Sequence, residues 1–386
     1  MLLISIDALR ADMPWAGYPR PIAPRLTDLE KQSVSYTKAY AISSYTSMSV
    51  GGLLGGRYPS EMKRDGYFFS TFPKENVMFP EKLQQAGIRT MAAHGHGYFR
   101  KGKSGFERGF DVYELVPGLK WNNTTDENIT GDRVEQIAER LLSDEANTGG
   151  RFFAWFHFMD PHDQYMRHPG IDWGKKARDL YDGEVTFSDQ QVARLLDFVA
   201  KKPWAPRTAI IVTGDHGEVF GEHGMWRHGF EIFEPLVRVP WMFVLPGALP
   251  RRIDVARSQI DMAPTILDLL GVSTEGLRGE SLVAELYGRK APEARDVIVD
   301  LPRTSDNDRR RAIIHDKYKI IAFGDDSYYQ VFDLQADPDE AHSIAKTDPA
   351  KYEEMVALYK KTRAGIKDVP PYGCRSLKGA PAGRGY

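Results

Sequence analysis

The side chains with the most chemistry sit in a few short stretches. Thr213-Gly-Asp215-His216-Gly-Glu218 is followed by Gly221-Glu-His223-Gly and Arg227-His228-Gly. An apolar run thus delivers a carboxylate and an imidazole side by side into a glycine-rich loop, a ligand mixture that suits hard and borderline divalent metals. Asp7 ends the opening apolar run and is followed by Arg10 and Asp12, and Asp160-Pro-His162 stands just past another such run. Six of the ten histidines (His94, His96, His162, His216, His223 and His228) fall after apolar runs or in these loops, which favours one site over scatter. Each piece alone has a plainer reading, with Asp7 as a helix N-cap and Asp215-His216 as loop residues satisfying their own backbone.

The segment from Ser43 to Pro59 reads as a hydroxyl-bearing turn entering a short helix. A hydroxyl at a helix N-terminus gains from the positive end of the dipole, which stabilises an alkoxide and a neighbouring phosphate or sulfate, and a metal would lower its pKa further. Taken singly, Thr46 there is a plain N-cap. Gly97-Tyr-Phe-Arg-Lys-Gly102-Lys103-Ser104 matches the phosphate-binding pattern GxxxxGK[ST], but Gly105 and Gly109 break up the helix that must start at the lysine, so it reads as a basic surface loop. No G-x-S-x-G elbow occurs, which removes the usual serine hydrolase.

These residues need strands and helices to position them. Leu2–Ile6, Thr90–Ala93, Phe152–Phe158, Ala209–Thr213 and Trp241–Leu245 read as strands of a covered, mostly parallel sheet, and 24–32, 47–54, 78–86, 131–143, 175–200 and 261–270 as helices between them. The alternation predicts an α/β fold with helices on both faces, in which ligands sit beyond the carboxyl ends of the strands, where Asp7, Asp160 and Asp215 fall. Past residue 295 the texture shifts to short antiparallel strands with a closing helix near 349–363, a small C-terminal subdomain. The expected division is 1–290, 291–365 and an extended tail over 366–386.

Composition excludes further classes. The chain has 386 residues, 42% of them hydrophobic, which is long enough for a large core. Its 51 Lys+Arg against 53 Asp+Glu leave a net charge of −2, so no global field draws it to nucleic acid or anionic lipid, and an anion must be held locally. One cysteine, Cys374, rules out a disulfide framework and a thiolate zinc site. No leader and no membrane-spanning run is evident, so periplasmic, extracytoplasmic and cytoplasmic placement all stay open, as does the oligomeric state. Asn122, Asn123 and Asn128 fit N-x-[ST], which is uninformative without a leader.

Together these stretches resemble the sulfatases of the alkaline phosphatase-like superfamily. The resemblance runs over most of the chain and includes Ala39-Tyr-Ala-Ile-Ser-Ser, Leu53-Leu-Gly-Gly-Arg57-Tyr-Pro59, Gly105-Phe-Glu-Arg-Gly-Phe-Asp111, Asp160-Pro-His162, Gly214-Asp215-His216-Gly-Glu, Asp261 to Gly271, Leu277-Arg-Gly-Glu-Ser-Leu282 and Val331 to Glu340, in the family's order. It implies the alkaline phosphatase-like/sulfatase fold. By position it implies Asp7, Asp215 and His216 as metal ligands and, counting back from Arg57, Thr46 as nucleophile and further metal contact. The chain departs from that family where it has Thr46, Met48 and Val50 in place of the C/S-x-P-x-R motif, so no formylglycine can form. Ala8 stands where calcium-type sulfatases usually carry a second Asp, which favours zinc or manganese over calcium, as one or two ions.

Threonine nucleophiles in the superfamily serve phosphorus esters. The resemblance therefore implies a metal-dependent hydrolase of phosphate or phosphonate mono- or diesters, acting through a phosphothreonine at Thr46. His162 and His228 would serve catalysis, with Asp160, His162 and His228 as a second metal or substrate set and His94 and His96 as substrate contacts. The substrate would be a small-molecule, lipid-linked or glycan-linked phosphoester. The alternatives are a sulfatase proper, a phosphoethanolamine- or phosphoglycerol-type transferase, and a degenerate binding module of the same fold.

Overall fold

Leu2–Ile6 (β1) is apolar on one face and, through Ser5, polar at one point on the other, and it lies in the middle of the main sheet. The computed structural model describes residues 1–120 and 129–373. Its strands continue with β2 (Val34–Tyr40), β3 (Arg89–His94), β4 (Val112–Leu115), β5 (Phe152–Phe158), β6 (Ile210–Gly214), β7 (Val219–Phe220) and β8 (Trp226–Arg227). They end with β9 (Arg238–Val244), β10 (Arg251–Ile253), β11 (Arg257–Ser258), β12 (Val297–Leu301), β13 (Arg310–His315), β14 (Tyr318–Phe323) and β15 (Tyr328–Asp333). The main sheet runs β10-β2-β9-β6-β1-β5-β3-β4, with β11 beside β2.

From β6 to β4 the strands are parallel, as the doubly apolar runs predict. β9 is antiparallel to both of its neighbours, a direction that burial on two faces does not encode. β2 escapes a reading by apolar runs because Ser35, Thr37 and Lys38 interrupt it and its register slips between Tyr36 and Ala39. The expected helices appear as Pro24–Glu30, Thr46–Gly55, Phe79–Gln85, Gly131–Ser143, Ala177–Ala200 and Met262–Leu269. Leu53, Leu83 and Ile266 pack the helices Thr46–Gly55, Phe79–Gln85 and Met262–Leu269 against one face of the sheet. Leu26, Val134 and Val192 pack Pro24–Glu30, Gly131–Ser143 and Ala177–Ala200 against the other. The fold is therefore a three-layer α/β sandwich. No helix among the described residues is long and apolar enough to cross a membrane.

The antiparallel sheet β12-β13-β14-β15 follows, with Met355, Val356 and Tyr359 of the helix Pro349–Arg363 packed on Ile313, Ile320 and Val331. Polar ties join it to the main body. Asp300 on β12 donates its N–H to Ile42 O (2.7 Å) and accepts from Ser60 N (2.8 Å), and Arg311 spans Asp300, Ser60 and Asp368. The start of the expected tail runs back along this junction, where Val369 N–H donates to Ser60 O and Tyr372 N–H to Arg64 O. Residues 374–386, with Cys374, and the Asn122, Asn123 and Asn128 sequons lie outside the described residues.

Lys319 on β14 is fully buried between Glu234 (3.0 Å) and Glu340 (2.9 Å). Removing one partner from such a cluster strands charge in low dielectric, which costs about 3–5 kcal/mol. Lys319→Met is thus expected to lower the unfolding free energy by about that amount in urea titrations. A change below about 1 kcal/mol would show that the junction does not depend on the pair.

Candidate active site

β6, β1 and β5 are parallel and in register, with Ile6 level with both Gly214 and Phe158. The residues that follow leave the sheet at one height, so Asp7 and Asp215 emerge as neighbours. Asp7 N–H still donates to Phe158 O (2.8 Å), and the chain then turns sharply at Ala8, whose φ is +54°. That left-handed backbone is unfavourable for alanine, and two hydrogen bonds hold it: Ala8 N–H to Asp215 Oδ1 (3.3 Å) and Tyr181 O–H to Ala8 O (2.8 Å).

Thr46 is not the N-cap of its helix. Tyr45, in extended conformation, occupies the cap, and Thr46 is the first helical residue of Thr46–Gly55. Its hydroxyl is therefore available to the site, where it donates to Asp7 Oδ2 (2.9 Å) and lies 3.1 Å from His216 Nε2. Gly51 lets this helix lie close to its neighbours, because a Cβ there would meet Phe72 at 2.5 Å.

Hydrogen-bond partners assign the imidazole tautomers. His216 Nδ1 faces the carbonyl of Gly217 (2.9 Å), which can only accept, so the proton is on Nδ1 and Nε2 presents a bare lone pair. His157, inside β5, is the opposite. Trp155 Nε1–H donates to Ser5 Oγ (2.8 Å), the Ser5 proton is satisfied at His157 Nδ1 (2.7 Å), and His157 Nε2–H is left to donate to Asp7 Oδ2 (3.3 Å).

Three groups able to hold a metal thus converge. His216 Nε2 is 3.4 Å from Asp7 Oδ1 and 3.6 Å from Asp215 Oδ2. Both carboxylate oxygens are buried with no hydrogen-bond partner. Carboxylate oxygens of Asp7 and Asp215 lie within 4.8 Å of each other and of a ring nitrogen of His157, a ring that in this tautomer donates to Asp7 and is no ligand. Burial pushes Asp7 toward its neutral form, but the imidazoles around it, His216 first and then the hydrogen bond from His157, outweigh burial and hold its carboxyl below the usual carboxylate range. Asp215 moves the other way, raised well above that range by burial and then by the charge of Asp7. Burial and then His228 lower His216 to about 3. The pocket by itself accommodates one negative charge, and a divalent cation is what lets both carboxylates and the lone pair coexist, so the donor set fits a metal.

A second row of histidines covers this floor. His228 stands 4.4 Å from His216 and 4.9 Å from His162, ring centroid to centroid, and His162 6.1 Å from His96. His162 donates through Nδ1 to Asp163 O (2.5 Å). His228 donates through Nδ1 to Glu218 Oε2 (3.1 Å), and although burial opposes charge on it, Glu218 outweighs burial and raises its pKa. Both residues are half-buried, whereas Asp7, His157, Asp215 and His216 are fully buried.

Other expected site residues lie elsewhere. His94 is in the core, ringed by Phe99, Tyr113 and Trp155 at 4.5–4.6 Å, so it meets no substrate; it ends a strand on the covered face. His96 accepts from Tyr98 N–H (3.1 Å), stacks on Phe69 and is lowered to about 3 by burial, so it faces the site as a neutral ring. Asp160 does not join His162 and His228 as a ligand set. Its Oδ1 accepts from Thr130 N–H (3.1 Å) and Gly131 N–H (3.0 Å), anchoring the start of the helix Gly131–Ser143, and burial followed by Glu184 raises it to about 7. His223 is exposed and stacked on Phe233 at 3.8 Å. Sequence reasoning passed over His157, which sits in a seven-residue buried strand and looks like core, and gave Glu218 no role, although its spacing ten residues before His228 is on view.

A hydroxyl on a helix N-terminus, above buried carboxylates and an imidazole at the carboxyl edge of a parallel sheet, defines an alkaline phosphatase-like α/β protein. Within that class the chain belongs to the sulfatase family. The sulfatase family model matches residues 1–272, and that for the C-terminal part of N-sulphoglucosamine sulphohydrolase matches 221–367. Among relatives, choline-sulfatase of Rhizobium meliloti is 31% identical over 203 residues, 51% of this chain, and the match spans 39% of that enzyme's length. A solved structure in complex with its substrate D-glucosamine-2-N,6-O-disulfate superposes with a TM-score of 0.79 at 19% identity, covering 96% of this chain and 98% of the other. The phosphonate monoester hydrolase of Agrobacterium radiobacter gives 0.74 at 18% identity, covering 95% and 94%.

Asp215→Asn takes one carboxylate out of this donor set and installs a side chain that cannot replace its charge. Purified wild-type protein equilibrated with zinc or manganese is expected to retain metal after gel filtration and to melt higher with metal than without, whereas Asp215→Asn shows neither effect. Equal metal retention by the variant would place the ion elsewhere.

Proposed function

We propose that the protein is a metal-dependent hydrolase of phosphate or phosphonate esters in which Thr46 is the nucleophile. The observation that carries this reading is the Thr46 hydroxyl at a helix N-terminus, hydrogen-bonded to Asp7 and next to the bare nitrogen of His216. Asp7, Asp215 and His216 would hold the metal, with Thr46 beside it. A divalent ion there supplies a lowered hydroxyl pKa and a positive counter-charge for the ester oxygens. The donor mixture of two carboxylates and an imidazole, with Ala8 adding none, suits zinc or manganese better than calcium.

The remaining steps belong to the chain's own groups. Thr46 Oγ1, oriented by Asp7 Oδ2, loses its proton to solvent as the lowered hydroxyl pKa would allow, and bonds to phosphorus as the bond to the leaving oxygen breaks. His228, charged through Glu218, delivers a proton to that oxygen from Nε2, and water then releases phosphate from the phosphothreonine. His162, with its proton fixed on Nδ1, offers Nε2 to orient that water. His157 holds Asp7 in place as a hydrogen-bond donor. A phosphorus ester is favoured over a sulfate ester because threonine cannot form the aldehyde hydrate by which the family's formylglycine expels sulfate. Family membership and choline-sulfatase as a relative support the second reading, a sulfuric ester hydrolase.

Assays of 4-nitrophenyl phosphate, phosphonate, phosphodiester and sulfate side by side separate the two. Phosphorus esters are expected to be turned over at least tenfold faster in kcat/KM, with Thr46→Ala losing at least about a thousandfold while its circular dichroism is unchanged. Sulfate turnover that survives in Thr46→Ala would sink the assignment.

The pH profile tests His228. A group with a raised pKa keeps its charge at low pH and loses it as pH rises through that value, so the activity that needs charged His228 falls on the alkaline side. In Glu218→Gln the raising partner is gone, and the alkaline limb is expected to move to lower pH. An unmoved limb would remove His228 from proton transfer.

A further inference from the structure

Two loops beside the site carry aromatic rings that the chemistry above does not use. Phe68 stacks on Tyr45, the residue preceding Thr46, at 4.1 Å and 18° between planes. It also stacks with Phe230 at 6.0 Å and 29°, and Phe230 lies two residues beyond His228. The three rings form a near-parallel column running from the nucleophile's neighbour outward, and it ends on Phe230, which is 50% exposed. Phe69, the next residue of the same loop, turns the other way and stacks on His96 at 5.9 Å and 26°.

The backbone is arranged around this column. Gly229 adopts φ +94°, and a Cβ there would meet Phe68 Cζ at 2.7 Å, so only glycine lets the two loops close on each other. Ser70 N–H donates to Ser47 Oγ (3.1 Å), which fixes the first loop to the first turn of the Thr46 helix. The loops at 66–70 and 228–230 are thus pinned to both Thr46 and His228. Exposed large apolar side chains are few among the described residues, and two of them, Tyr67 (55%) and Phe230, belong to these loops. An open apolar ring held rigidly at the mouth of a polar site is the mark of a ligand contact.

We propose that this column is a stacking rim that selects phosphorus compounds whose organic group is a flat apolar ring, aryl or the apolar face of a pyranose, with Phe230 as the specificity-determining residue. The inference rests on the reading of the site as an ester hydrolase. Near-parallel rings present a face to stack upon, whereas a quaternary ammonium is held by rings that converge as walls, and Arg227 and His228 beside Phe230 oppose a cation there.

Titration calorimetry on the metal-loaded protein tests it with phenylphosphonate and methylphosphonate, which carry no ester bond to hydrolyse, and, in a Thr46→Ala background that does not turn them over, with choline phosphate and glucose 1-phosphate. Phenylphosphonate is expected to bind wild type about five- to tenfold more tightly than methylphosphonate, with the advantage lost in Phe230→Ala, kept in Phe230→Tyr, and methylphosphonate affinity unchanged in both. If glucose 1-phosphate loses affinity in Phe230→Ala as well, the rim accepts pyranose faces; if it does not, the ring is aryl. Equal binding of the two phosphonates by wild type, an equal loss for both in Phe230→Ala, or a loss confined to choline phosphate would overturn the rim. Absence of methylphosphonate binding in wild type would instead overturn the reading of the site itself, and the rim with it.

Discussion

Two buried carboxylates and an imidazole lone pair pointed at one another cannot all stay free of protons without a counter-charge, and the rest of the structure depends on resolving that conflict. Asp7 Oδ1, Asp215 Oδ2 and His216 Nε2 meet in this way because β6, β1 and β5 end at one height. A parallel register places adjacent strand ends side by side as a matter of geometry, so the cluster is built into the sheet and not assembled by loops. The left-handed turn at Ala8 is the local strain that this placement imposes, and Tyr181 and Asp215 hold it. A cation relieves the conflict; without one, Asp215 must keep a proton.

The site is layered by protonation. On the floor, His216 is bare toward the cluster and His157 is a donor to Asp7, each fixed by a partner on its other nitrogen. Above them His162 and His228 are half-buried, and Glu218 favours charge on His228 where burial suppresses it on His216 and His96. Identical side chains thus take opposite roles through single neighbours, a carbonyl in one case and a carboxylate in the other. Remote parts of the chain brace this arrangement: Asp300 and Arg311 of the C-terminal sheet fasten Ile42 and Ser60 on either side of the Thr46 helix.

Much of the site could be read from sequence because strand ends are legible. Asp7, Asp215 and His216 follow apolar runs, and in a parallel sheet that position is functional ground. Thr46 was legible through the hydroxyl-rich entry to its helix, although sequence could not separate an N-cap from a first helical residue, a difference of one position that decides where the hydroxyl points. His94 and Asp160 occupy the same kind of position and went astray for distinct reasons. His94 lies on the covered face of β3 among aromatic rings, and Asp160 is spent on the unsatisfied amides that open a helix. His157 was invisible because a polar residue inside a buried strand looks like core until Ser5 is seen in register with it and Asp7 within its hydrogen-bond reach. The aromatic rim was out of reach, since it depends on two loops distant in sequence closing over Gly229.

The central claim is that Thr46 Oγ1 becomes covalently bound to phosphorus. Rapid acid quenching of metal-loaded protein during turnover of a phosphate or phosphonate ester, followed by peptide mass spectrometry, tests it directly. The account predicts a phosphoryl or phosphonyl adduct on Thr46 that is absent before substrate is added and decays as substrate is exhausted. Steady turnover with no adduct on Thr46, or with the adduct on another residue, would contradict it.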